Sequence, residues 1–427
     1  MAKGAYQLLI CFVLMSLGSV GLQGQELPQY FVFDGKKSET FGSENIATVH
    51  RLMYSQLDKS IPGRLWDETK LVPKLGGMGY RGLKLFLFDF QEDFLFALAQ
   101  HEAFGHGARY REHGAHRVPI TMDLFFPFGE GAGSASPIGV TEFGFSFSMA
   151  NAFGGNEANS ILANNLEARM LLEGGSHYRQ SLLYLTSRNN LLFYSFRTWR
   201  GLIGGDVFSY INDMNFHASF TGSGKQSDIN RLFTYNLISL LNPMQLQSAL
   251  TLAKDHVLDG NTRRNSLPTL KIGKSQYMPA LDYNLTPFGP EFLMNHYLLK
   301  NEKLYQLNLR LGEQWAYSSF YGLGIKSYNL ISNHALRLHG SLDLWNQPKL
   351  TYVFEGAPED LDLQAGAMAK ISCSWFPFKP ENSLVLHARS RLGLHAELVY
   401  KSTGYAQGEP LRDGGIIRFG IALNMAE

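Results

Sequence analysis

Hydrophobic periodicity changes once along this chain, near residue 270, and that change bounds the fold. Before it, apolar residues recur at helical spacing; after it they alternate with polar ones. Residues 83–111 read as one long, largely buried helix, with Gly114 as its stop signal. Residues 117–149 read as extended, with a Gly/Ser-rich loop at 129–139 and a half-buried strand at 141–149, where Phe143, Phe145, Phe147 and Met149 share one face. A second clear helix covers 156–173 and is closed by Gly174 and Gly175. Helical segments follow at 177–199, 203–216 and 228–258, the last with a break at Asn242-Pro243.

From about residue 280 the period is two. Leu307, Leu309 and Leu311 alternate with Asn308 and Arg310, and Ile417, Phe419, Ile421 and Leu423 with Arg418, Gly420 and Ala422. About eight strands of this kind are expected, joined by turns such as Asn301-Glu302-Lys303 and Asp413-Gly414-Gly415. The fold class is therefore α+β: a mainly helical domain over residues 25–270, then an antiparallel β-domain, barrel or sandwich, over 271–427. Strands of this length, apolar on one face and small or polar on the other, match an outer-membrane barrel as well as a soluble β-domain. The Leu-rich faces favour the membrane barrel.

Residues 1–24 have the layout of a signal peptide: Lys3, then the apolar run 8–22, then Gly24. Export to a bacterial periplasm or outer membrane is expected. Cysteine use agrees, because Cys11 lies in the leader and Cys373 alone remains, which leaves no intramolecular bridge. The 427 residues carry 38 basic against 37 acidic side chains, a balance that gives no support for a nucleic-acid partner. No phosphate-cradling loop, nucleophile elbow or Cys/His pair is present.

The chemistry is concentrated in His101-Glu102-Ala103-Phe104-Gly105-His106. Two imidazoles and a carboxylate on one helix suit a catalytic zinc: the histidines bind the metal and the glutamate handles the proton of the attacking water. The usual spacing of such histidines is four. Here it is five, which on a regular helix turns the rings apart by about 140°. One extra residue absorbed as a π-bulge realigns them, and Gly105 makes the bulge sterically easy.

This segment resembles the HExxGH variant of the zinc motif in the dipeptidyl peptidase III family. Metallopeptidases of that glutamate-ligand type (gluzincins) draw a third ligand from a later helix, often inside an Asn-Glu-x-x-Ser-Asp segment. The chain has Asn156-Glu157-Ala158-Asn159-Ser160 followed by Ile161 where that pattern has Asp. The resemblance covers these two short segments and implies zinc ligands His101, His106 and Glu157, with Glu102 as general base and a peptide or protein as substrate. From the residues alone, Glu157 opens a helix, where the dipole favours a carboxylate. It shares a stripe with Ser160, Asn164 and Glu167, so Glu167 is an alternative ligand and Glu173 a weaker one. His113 and His116 read as surface residues. His177, Tyr178 and His217 are candidates for stabilising a tetrahedral intermediate. The segment 141–149 is a candidate edge on which an extended peptide lies, and loop 129–139 a candidate lid. A non-enzymatic envelope protein with a structural metal site is the competing expectation.

Overall fold

The computed structural model describes residues 29–424 apart from 36, 142–144, 222–226, 263, 266, 302, 314–318, 334, 351–362 and 378–390. The leader read at 1–24, with Cys11, lies outside the described residues, as does Glu302 of one expected turn. Helices fill the N-terminal half and one large antiparallel sheet the C-terminal half, so the class is α+β.

The expected long helix is a run of pieces: α2 (Leu71–Lys84), a π-helical segment Leu85–Asp89, α3 (Phe90–Ala99), a second π-helical segment Gln100–His106, and α4 (Gly107–Glu112). Before it lie β1 (Gln29–Phe33) and α1 (Glu39–Ser60), whose N-cap Ser38 accepts from the Phe41 N–H. After it come two short paired strands, β2 (Ile120–Met122) in the stretch read as extended and β3 (Gly133–Ala135) within the expected loop.

Residues 145–149 are not a strand. They open α5, a 28-residue helix from Phe145 to Leu172. The misleading alternation has a physical cause. A helix covered on all sides carries no 3.6-residue stripe, and on α5 Met149, Phe153, Leu162, Leu166 and Met170 are all buried. Even a polar residue among the phenylalanines is paired, with Ser148 Oγ donating to Asp213 at 2.7 Å. The glycine stop holds: Gly174 has φ of +70° and its N–H reaches back to Leu171. Five further helical pieces follow, α6 (Tyr178–Arg188), α7 (Asn190–Trp199), α8 (Asp206–Thr221), α9 (Ile229–Ser239) and α10 (Pro243–Leu250), the last running into a π-helical segment, Thr251–Leu258. The break at Asn242-Pro243 is a capped helix start, with Asn242 Oδ1 accepting from the Met244 N–H at 2.9 Å.

Among the described residues the sheet has ten strands, nine of them from residue 270 onward where about eight were expected, and it is not closed. Strands β4 (Leu270–Ile272) to β12 (Gly414–Asn424) form an antiparallel meander, with β5 at Ser275–Thr286, β6 at Gly289–Lys300, β7 at Lys303–Gly312, β8 at Tyr321–Ser332, β9 at Leu336–Pro348, β10 at Leu363–Trp375 and β11 at Arg391–Lys401. The tenth strand is β1, which pairs with β12 from Gln29 opposite Leu423 to Phe33 opposite Phe419. One core spans the boundary near residue 270, since Leu162, Leu166 and Met170 of α5 pack with Met278, Tyr297 and Leu304 of the sheet. Each such large side chain contributes about 1.5–3 kcal/mol on burial. Helix α5 is thus the element against which both the site helix and the sheet are placed.

Candidate metal centre

The extra residue between the histidines is absorbed as the spacing requires. Gln100–His106 is π-helical, and i→i+5 bonding stacks residues five apart on one side of the helix. The segment lies against α5 at three glycines. A Cβ on Gly105 would stand 2.7 Å from both the Gly154 carbonyl oxygen and the Gly155 Cα, and one on Gly155 would stand 2.4 Å from His101 Nε2. Glycine is therefore required for the approach, and the approach brings α5 groups to the rings.

Both imidazoles are oriented from α5. His106 Nδ1 donates to the Asn151 carbonyl at 2.8 Å. The Asn159 amide lies 3.4 Å from His101 Nδ1; with its oxygen turned to the ring it accepts the Nδ1–H, which gives the otherwise unpartnered Oδ1 a donor. These bonds leave the two Nε2 atoms facing each other 3.1 Å apart. Two nitrogens at zinc-binding distance on a tetrahedral ion are separated by about 3.3 Å.

A carboxylate joins them. Asp206 Oδ2 lies 2.8 Å from His101 Nε2 and 3.4 Å from His106 Nε2, and Asn156 Nδ2 donates to the same oxygen at 3.3 Å. Asp206 is the first residue of α8, after Gly204 and Gly205, whose φ angles of +96° and +88° turn the chain into the site. Glu102 completes the group: His101, Glu102 and His106 are buried and present ligand atoms within 4.8 Å of one another, so the cluster has the composition and geometry to hold a metal ion. Burial raises the Glu102 pKa, against the two histidines, which lower it. Burial disfavours a charged His106, but the Asp206 and Glu102 carboxylates outweigh it and hold that imidazole at about 9. The site thus favours a positive charge between the rings. Tyr194 stacks on His101 with ring centroids 5.5 Å apart, and Tyr110 lies 6.4 Å from His106.

Glu157 is not brought to the imidazole pair. Its Oε1 accepts from the Tyr405 hydroxyl at 2.8 Å and the Gly408 N–H at 2.9 Å, and its Oε2 pairs with Arg109. Arg109 also binds Glu39 and Glu112, so this carboxylate joins α5 to α4, α1 and the loop after β11. Glu167 faces Arg188 at 3.5 Å, and Glu173 is enclosed by Arg51, Arg264 and Gln180. The Asn-Glu-x-x-Ser segment therefore serves the site through Asn156 and Asn159, which orient ligands, while its glutamate serves the scaffold. Glu157→Gln is expected to leave zinc affinity unchanged and to lower stability by about 1–3 kcal/mol, because Arg109 loses one of its three carboxylate partners in a buried network. Chelator competition and denaturant melts measure the two quantities.

Glu173 carries a pH dependence. Burial raises its pKa, but Arg51 and Arg264 prevail and hold it below the ordinary glutamate value. A depressed carboxylate stabilises the fold above its unfolded pKa, and that contribution is lost as pH falls through the folded value. Denaturation midpoints between neutral pH and pH ~3 are expected to drop less for Glu173→Gln than for the wild type.

Among the other expected residues, His113 is buried rather than on the surface, with Nδ1 at 2.9 Å from the Arg109 carbonyl, whereas His116 is exposed. His177 caps α6, and Tyr178 donates to Asp58 at 2.7 Å in a separate buried ionic cluster. His217 is buried on α8, eleven residues beyond Asp206 and hence about 16 Å along the helix axis. Gly133 of loop 129–139 lies against the general-base candidate, since a Cβ there would stand 2.8 Å from Glu102 Oε1. Asp206 and Tyr194 were not among the sequence candidates. The signal for Asp206 was a carboxylate at a helix start behind two glycines, at a position already read as helical.

No known protein family, curated protein or solved structure matches the chain.

Proposed function

We propose that the chain is a zinc-dependent hydrolase, a peptidase by substrate class, with His101, His106 and Asp206 as metal ligands and Glu102 as general base. The observation that carries this reading is the pair of Nε2 atoms 3.1 Å apart with Asp206 Oδ2 in reach of both. Two imidazoles and one carboxylate leave a coordination position open, which catalytic zinc sites keep and structural sites fill. Bound there, zinc supplies a Lewis acid that acidifies water and polarises a carbonyl. Glu102 takes the proton of the attacking water and delivers it to the leaving amine; its raised pKa brings it closer to the range in which a base works at neutral pH. Asn156 and Asn159 hold the ligands in place. Tyr194 covers one face of His101 and limits water on that side.

The competing reading makes Glu102 a fourth ligand and the site structural, and one variant separates the two. With zinc-loaded protein and a mixed peptide library read by mass spectrometry, Glu102→Gln is expected to retain zinc and lose about 10²–10⁴-fold in cleavage rate. Loss of zinc together with folding would assign the glutamate to a closed structural site. Unchanged cleavage, or cleavage insensitive to a chelator, would refute the hydrolase.

A further inference from the structure

From β8 to β12 the sheet turns a mainly polar face inward, whereas β5 to β7 pack Met278, Tyr297 and Leu304 against α5. Lys326, His339, Lys370, His395, Glu397 and Arg418, from five successive strands, line one cavity with Glu44 of α1 and Arg169 of α5. The opposite face is apolar and uncovered: Ile325, Leu342, Ile371, Leu394, Leu398 and Phe419 are 54, 49, 48, 60, 52 and 63% exposed. These side chains form rows across the strands. Ile371 lies opposite Leu398 and Leu398 opposite Ile417; Leu394 lies opposite Ile421. A soluble antiparallel sheet turns its apolar face to the core and its polar face to water. From β8 to β12 the arrangement is reversed, as in strands that face lipid.

We infer that this outer face lies against the hydrocarbon of a lipid bilayer. Its dimensions fit that occupant. Tyr321 stands opposite Asn346, near one end of β9, and Trp375 opposite Leu336, at the other, both 51% exposed or more. The ten residues between these levels span about 33 Å along the strand. At the tilt usual for membrane strands, about 40°, this gives a band close to the ~25 Å apolar height of such sheets. With Tyr321 and Trp375 at the two rims and mainly aliphatic side chains between them, Tyr400 excepted, the face has the distribution of an interfacial girdle.

The β1 edge is also treated as lipid requires. In hydrocarbon an unpaired backbone group costs several kcal/mol, so an edge strand there needs other partners, and β1 has them. On its side away from β12, the Tyr30 N–H donates to Thr48 Oγ1 at 3.1 Å, and the Thr48 hydroxyl donates back to the Tyr30 carbonyl at 2.9 Å. The Val32 N–H donates to Asn45 Oδ1 at 3.1 Å, and Asn45 Nδ2 returns a bond to the Val32 carbonyl at 2.9 Å. Two side chains three residues apart on α1 thus replace the missing strand. A second copy of the chain would cover an apolar face, but it would not call for aromatic rims at both ends of the strand.

Cys373 supplies the probe. It lies on the outer face of β10, opposite Leu338 and Ala396. The full chain carrying Cys11→Ser is labelled at Cys373 with an environment-sensitive nitrobenzoxadiazole dye and reconstituted into phosphatidylcholine vesicles. The expected result is a blue-shifted emission that is lost when the acyl chains are brominated and is indifferent to aqueous iodide. Emission quenched by iodide, from a chain that stays monomeric without detergent, would overturn the inference. So would a detergent-free dimer whose label is shielded from both quenchers, which would assign the face to a second copy.

Discussion

Replacing Asp206 with alanine is expected to abolish stoichiometric zinc binding, a loss larger than the roughly 10–100-fold that removal of an orienting partner costs. Its Oδ2 is the carboxylate oxygen within 3.4 Å of both Nε2 atoms, and without it two neutral imidazoles would have to hold a dication in a buried site. Asn156→Ala and Asn159→Ala are expected to fall within that smaller, orienting range, because they hold Asp206 and His101 without touching the ion. Competition with a chromophoric chelator ranks all three against Glu157→Gln. If Asp206→Ala bound zinc as tightly as the wild type while Glu157→Gln did not, the ligand set proposed here would be wrong and the glutamate-ligand arrangement suggested by the sequence resemblance would be restored.

The second large effect is steric and comes from groups that never touch metal. In Gly155→Ala the added methyl would stand 2.4 Å from His101 Nε2, the atom offered to the ion, and the ring is backed by Tyr194. Zinc binding is expected to be lost. Gly105→Ala meets backbone instead, 2.7 Å from the Gly154 carbonyl and the Gly155 Cα, so no side chain can swing away. Its expected cost is at the upper end of the ~1–3 kcal/mol usual for overpacking, or beyond it. A thermal melt with and without zinc distinguishes the two. Gly155→Ala should keep most of its apo stability and lose the metal-dependent increment, and Gly105→Ala should melt lower in both states. Wild-type zinc affinity in either variant would show that the helices are not packed as described.

What the sequence disclosed depended on whether a feature was local. The five-residue spacing of His101 and His106 demanded a distorted helix with glycine at the crossing, and both are present because the demand follows from helix geometry alone. The Asn-Glu-x-x-Ser helix was legible as a partner of the site. The task of each residue on it was not, because Arg109 comes from the end of the site helix and claims Glu157. Asp206 enters through a tertiary approach of α8, which no local spacing encodes. Residues 145–149 misled because burial on every side of α5 erased the stripe that marks a helix. In the sheet the alternation was visible strand by strand. Which face turns inward depends on what α1 and α5 present to the sheet, an ionic cavity along β8 to β12 and an apolar core along β5 to β7, and that is a property of the assembled chain.

The pairing of β1 with β12 places residues 29–33 beside residues 419–423. During synthesis from the N-terminus, β1 therefore emerges about 390 residues before the strand it pairs with. Contacts this distant in sequence close slowly, because the whole intervening loop must be ordered first. Asn45 and Thr48 lie less than twenty residues away and can engage the strand at once. They act as a placeholder: the helix binds one side of the strand early and keeps the other side open for the final one. Deleting β12 would then leave a chain that still matures its helices and still presents a waiting, unmatched β1, poised to recruit the same strand from another molecule.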